Sequence, residues 1–302
     1  MSRSGLLAAL TVFVLMLSGC GGSDGKATKS INTQIDEAAK LTDPVQRARR
    51  FVSIADKQIK ASDPLGAQAT LNGAKDAASG VPDPLSKATT LNLVAAAYGR
   101  AGDANSASKL LDQAANAIEQ IPETGDRVAP LAELAAHTGN YAKNELLAAE
   151  YLEQAEQAAE SIQDPKLRII AQMRIAGAYQ RIKLSDEAQR VVDEALAATR
   201  GQDDPRKKSD GLAEIAAGLS RMSKADAAKA AFNEAQQAAE EIEAHDSHAY
   251  ALLLIGTKLL QAKMSTDAKA VLSKAQDFAL KVKDTSIRDP LMSEIDRALQ
   301  KI

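Results

Sequence analysis

Residues 91–114 read LNLVAAAYGRAGDANSASKLLDQA, and the way this stretch recurs along the chain decides the fold. Leu91, Val94 and Tyr98 stand three and four apart, as do Ala107, Leu111 and Ala114 after a break at Gly102-Asp103. Spacings of three and four put side chains on one face of a helix, so the stretch predicts two amphipathic helices, A and B, joined by a short turn.

Ala95 belongs to a column of small residues, Ala55, Ala95, Ala135, Ala176, Ala216 and Gly256, spaced 40, 40, 41, 40 and 40 apart. Ala67, Ala107, Ala148, Ala188, Ala228 and Ala268 form a second column, with Ala148 one residue late. Ala74, Ala114, Ala155, Ala195, Ala235 and Ala275 form a third. A bulky aliphatic residue precedes each member of the first: Ile54, Val94, Leu134, Ile175, Ile215 and Ile255. Six hairpins in phase predict a solenoid, because one hairpin cannot bury its apolar face and a stack can. Small residues at the crossings let helix axes approach while neighbouring Leu and Ile fill the grooves.

Element boundaries are also legible. Asp-Pro occurs at Asp43, Asp63, Asp83, Asp164, Asp204 and Asp289, pairing an N-cap acceptor with a residue suited to the first helical position. Asp43, Asp83, Asp164 and Asp204 fall where helix A should begin. Gly99-Arg100-Ala101-Gly102-Asp103 and Leu184-Ser185-Asp186 read as hairpin turns with Asp or Ser available to cap helix B. Ile31, Ile35, Ala38 and Ala39 predict a lead-in helix. Asp289-Pro290 is expected to open a capping helix with Leu291, Ile295, Leu299 and Ile302 on one stripe. The extra residue of repeat three is expected near Lys143 to Leu147.

The pattern resembles the tetratricopeptide repeat. Leu91, Val94-Ala95, Tyr98, Gly102, Ala107, Leu111 and Ala114 match it in the second repeat, and Ile175-Ala176, Tyr179, Ala188, Val192 and Ala195 in the fourth. The aromatic position is Gln58, Thr138, Leu219 or Leu259 elsewhere, and the period is longer than the family's usual one. The resemblance implies an all-α solenoid over residues 43–283, closed by a C-terminal capping segment at 284–302. It also implies ligand binding on the concave surface lined by A helices.

Residues 1–19 read as a secretory signal, with Arg3 before an apolar run from Leu6 to Leu17 that is too short to span a bilayer. Leu17-Ser18-Gly19-Cys20 resembles a bacterial lipobox, which implies acylation of Cys20, the only cysteine. Residues 20–42 then form a polar tether and the lead-in helix. Gly21 rather than Asp after the lipidated cysteine favours the periplasmic face of the outer membrane, by the same resemblance.

Composition narrows the chemistry. The chain has 60 Ala in 302 residues, nine aromatics and no Trp, which argues against β structure. A formal net charge of −3 leaves no electrostatic footprint for nucleic acid. No phosphate loop, nucleophile elbow or cofactor motif is present, so an enzyme is not expected. Glu145, Glu150, Glu153, Glu156 and Glu160 read as a solvated helix face. His245, Asp246 and His248 offer metal-ligand types, although Asp246 is placed to cap the next helix A and His137 is expected at the surface.

Binding remains. The resemblance implies a groove position five residues past the first small column, held by Lys60, Arg100, Asn140, Arg181, Arg221 and Gln261, with Arg174 near this row. Such a row suits a carboxylate-bearing protein or peptide. It equally suits a solvated helix end whose cations complement the C-terminal dipole. Ala96, Ala136, Gly177 and Ala217 would floor the groove. The expected function is a non-enzymatic scaffold lipid-anchored at an envelope membrane; the alternative is a ligand- or metal-binding protein using the basic row or His245 and His248.

Overall fold

The computed structural model describes residues 29–302, so the expected signal at 1–19, Cys20 and most of the expected tether lie outside the described residues. Within them the chain forms fourteen α-helices and no strand. A lead-in helix α1 (Ile31–Ala39) precedes six hairpins. These are α2 (Pro44–Lys60) with α3 (Pro64–Ser79), α4 (Pro84–Arg100) with α5 (Ala104–Glu119), and α6 (Val128–His137) with α7 (Glu145–Glu160). Then come α8 (Pro165–Arg181) with α9 (Ser185–Arg200), α10 (Pro205–Arg221) with α11 (Ala225–Glu240), and α12 (His245–Gln261) with α13 (Ser265–Ala279). Helix α14 (Thr285–Leu299) covers the last hairpin.

Each A helix packs on the next A helix, whereas each B helix packs on its own A and on the following one, and neighbouring B helices make no comparable packing. The A helices therefore lie on the inner, shorter side of the stack. Every Ala of the three small columns is buried to within 1% of full. At Gly256 the approach is tighter still, since a Cβ there would stand 2.6 Å from Leu272.

Asp43, Asp83, Asp164 and Asp204 cap α2, α4, α8 and α10, accepting from first-turn amides at 2.8–2.9 Å. The Asp289-Pro290 expectation fails. Helix α14 starts at Thr285 under Asp284, which accepts from the Ser286 N–H at 2.9 Å, and Pro290 lies inside it. Asp289 therefore lies in the second turn of the helix, past the free amides that a cap would serve, and its carboxylate meets Arg288 at 2.9 Å. Leu291 and Ile295 are fully buried as expected, but Ile302 is exposed beyond the helix, and Ala39 is exposed on α1.

Helix B is entered differently from the sequence reading. One residue in each A-to-B turn takes positive φ: Ser62, Gly102, Lys143, Lys183, Ser223 and Lys263. In repeat four the Lys183 N–H donates to Gln180 and the Leu184 N–H to Tyr179, both at 3.0 Å, the two bonds of a Schellman motif. The residue accepting the longer bond is Gln58, Tyr98, Tyr179, Leu219 or Leu259, so the column matched to the family's aromatic is also the one that closes the turn. Asp63, Asp103 and Asn144 cap their B helices, but Leu184 occupies the cap of α9, with Ser185 already helical and no side-chain cap bond.

In repeat three the left-handed residue stands eight positions after the small column instead of seven, while Ala148 keeps the usual five after it. The extra residue is therefore absorbed in a π-helical turn, Thr138–Ala142, and not at Lys143 to Leu147. There the Asn144 N–H reaches the Thr138 carbonyl at 3.4 Å.

A second device joins B to the next A. Arg47, Arg127 and Arg168 each donate to the carbonyl six residues earlier, Leu41, Ile121 and Ile162, at 2.6–2.9 Å. His248 holds the same repeat position in repeat six.

Candidate functional site

The A helices α6, α8, α10 and α12 enclose one groove of about 740 Å³ on the inner face. Its apolar floor comes from Ile170, Met173, Gly177, Gly218 and Met222. Gly218 lies directly against Met173, where a Cβ would come within 2.7 Å of the Met173 side chain, so the glycine seats the methionine. Arg174, Arg181, Arg221 and Lys258 bring positive charge to the walls, and Glu133 and Glu214 negative charge.

These charges are not equivalent. Glu214 is almost fully buried and binds Lys258 at 2.7 Å, with Lys166 at 4.0 Å. Its desolvation is offset by that ion pair, which occupies both partners. Among the described residues, Arg174, Arg181 and Arg221 have no ion pair and no side-chain hydrogen bond. Partial burial lowers the Arg181 guanidinium below its ordinary range and Arg174 adds repulsion, while Glu133 opposes both. An anion entering here would relieve the repulsion between guanidiniums. Gln180, at the groove wall, donates to the Met222 carbonyl at 2.9 Å, and its own buried oxygen accepts from nothing.

Of the residues the sequence singles out, Arg174, Arg181 and Arg221 meet in this groove and Lys60 and Arg100 do not. Arg100 makes two bonds to Asp56 of the preceding repeat, at 2.9 and 3.1 Å, so its charge is already matched. Lys60 stays exposed in repeat one. The groove floor includes Gly177 but not Ala96, Ala136 or Ala217. Lys258 and Glu214 were not legible as a pair, since they come together only when α10 packs on α12.

His137 corrects its expected surface position. It is largely buried at the end of α6, its ring 5.8 Å from that of Tyr141, and its Nδ1 has no partner. Burial pushes its pKa down to about 4, with Arg181 and Arg100 adding repulsion. The π-turn places Tyr141 over Gly99 of repeat two, where a Cβ would come within 2.3 Å of the ring, so only glycine fits.

The histidine pair of repeat six is explained by packing. His248 stacks on Phe278 with ring centroids 3.7 Å apart, His245 meets the same ring at 6.1 Å, and Lys281 lies over it at 4.3 Å. Asp246 does not cap α12; Ala244 holds that position and no side chain bonds there. No group of three or more His, Cys, Asp or Glu among the described residues is arranged to hold a metal ion.

No protein-family model matches the sequence, and no curated protein does. Solved structures similar to this one include Ton1535 from Thermococcus onnurineus NA1, at 15% identity over 86% of this chain and 94% of that one, with a TM-score of 0.41. The apo form of RapI matches at 14% identity over 89% and 77%, with a TM-score of 0.39. A Rap protein complexed with competence and sporulation factor matches at 15% identity over 90% and 81%, with a TM-score of 0.36. The chain is an all-α solenoid of helical hairpins.

Proposed function

We propose that the protein is a non-enzymatic protein-binding scaffold whose inner groove takes an acidic segment of a partner, and that Cys20 anchors it by lipid to a bacterial envelope membrane. The observation that carries the groove reading is the gathering of Arg174, Arg181 and Arg221, none of them ion-paired among the described residues, over a floor of Ile170, Met173 and Met222. Unmatched guanidiniums beside an apolar floor suit a partner that offers carboxylates and an aliphatic side chain together. The ends of A helices elsewhere lack that combination, as the Arg100–Asp56 pair illustrates.

A labelled Glu-rich helical peptide tests this by fluorescence anisotropy. Arg181→Glu with Arg221→Glu is expected to weaken binding by more than about tenfold, equivalent to 1.4 kcal/mol. Equal affinity in the wild type and the double variant would remove the groove from the reading.

The anchor rests on Leu17-Ser18-Gly19-Cys20, outside the described residues. No described helix is long and apolar enough to cross a membrane. Acyl chains on Cys20 would hold the body at the surface, for which the periplasmic face of the outer membrane is proposed. Mass spectrometry of the N-terminal peptide should show an acylated cysteine, and Cys20→Ala should move the protein from the membrane to the soluble fraction.

A further inference from the structure

The net charge of −3 conceals a division between the two helix layers. The six A helices carry sixteen Lys and Arg against five Asp and Glu; the six B helices carry seven against seventeen. Helix α7 is the extreme, with five Glu and no Lys or Arg. Leu146, Glu150, Glu153, Gln157 and Glu160 are all exposed, and their alternating spacings of four and three align them as the outermost stripe of that helix. Leu146 is 75% exposed, among the most exposed large apolar side chains described.

We infer that the occupant of the groove is a second copy of this chain, docked through the outer stripe of α7. This rests on the groove reading above and names its partner. Complementarity is specific: three arginines without an ion pair on one surface face three stripe carboxylates on the other, with Leu146 available to the half-buried Ile170, which lies beside the buried Met173 and Met222. The dimensions agree. A 16-residue helix is about 24 Å long, and four A helices spaced 8–10 Å apart span roughly 24–30 Å. The contact joins the inner face of one copy to the outer face of the next, so it is heterologous and builds a ring or an open filament, not a closed two-fold dimer. Assembly should therefore grow with concentration instead of stopping at a dimer, and salt should dissolve it, because both surfaces are solvent-exposed before contact.

Sedimentation velocity and light scattering on the full chain carrying Cys20→Ala, which keeps acyl chains from driving association, test the inference. The average mass should rise with concentration at low salt and fall to that of the monomer at high salt. Arg181→Glu with Arg221→Glu should abolish the rise, and so should Glu150→Lys with Glu153→Lys. An equimolar mixture of the two variants should restore it, since each then offers the other a surface of opposite sign. All four positions are exposed, circular dichroism checks helical content, and Arg181→Gln with Arg221→Gln serves if the reversal unfolds the chain. A monomer at every concentration in low salt overturns the inference, as does assembly that survives both variants or a mixture that stays monomeric. If the chain is monomeric yet still binds the Glu-rich peptide through Arg181 and Arg221, the groove reading stands and only the second copy is eliminated.

Discussion

Repeats three and four solve the same problem with one residue of difference. In repeat four, α8 ends in a Schellman turn at Lys183, and the aligned position Ala178 is a fully buried small residue. In repeat three, α6 is seven residues shorter than α8 and ends in the π-turn, and the residue aligned with Ala178 is His137. Ala135, Ala148 and Ala155 nevertheless remain fully buried, in register with Ala176, Ala188 and Ala195. An insertion is tolerated where it is confined to backbone near the inner surface and leaves the crossing points alone. What it changes is local: a histidine stranded beside two arginines, and a tyrosine laid over the glycine of the preceding repeat.

The largest effects are expected in the core. Leu134→Ala and Ile175→Ala remove fully buried side chains from equivalent positions, and each should cost about 2–5 kcal/mol by denaturant unfolding. Similar costs mean that the π-turn leaves the register intact; a much smaller cost at Leu134 would mean that repeat three is loosely packed.

A smaller effect separates the two repeats by pH. His137 holds its proton less tightly when folded, so unfolding takes up a proton between its ordinary 6.5 and about 4. The stability of the neutral ring is fully present above 6.5 and is lost as pH falls towards 4. The His137 contribution to that loss should be of order 1–3 kcal/mol, and His137→Ala, which makes the position like Ala178, should flatten the stability profile accordingly. An unchanged slope would place the proton uptake elsewhere, with His248, also lowered by burial, the first to examine.

Caps and turns give smaller effects. Asn144→Ala should cost about 1 kcal/mol through loss of the acceptor for the Leu147 N–H, whereas α9 has no side-chain cap to lose. Lys183→Gly relieves a left-handed residue in a regular turn and should raise stability by about 0.5 kcal/mol after the entropy cost of glycine. Lys143→Gly should do the same, and a larger gain there would locate strain in the π-turn. Differential scanning calorimetry resolves both.

The hairpins, their period and the four Asp caps were legible because buried small residues and N-caps constrain residue type directly. The left-handed column was not, since Ser and Lys fill five of its six positions and only Gly102 carries the usual signal. The Arg47, Arg127, Arg168 column was hidden for a related reason: a side chain reaching a backbone carbonyl leaves no partner residue to find. Which members of the basic row are paired was not legible, because the charge opposite a side chain depends on which helix packs beside it. Asp56 pairs with Arg100, while among the described residues Arg181 and Arg221 form no ion pair, Glu133 acting on Arg181 only at longer range.

Because B helices of neighbouring repeats scarcely pack on one another, the layers differ in stiffness as well as position. The stack resembles a leaf spring bonded along one side. Opening or closing its curvature widens or narrows the gaps between outer helices, where few contacts resist, while the inner helices act as the neutral line. A load applied at the N-terminal end is then taken up as a small change of angle at each of several hairpins, and no single junction bears the full strain.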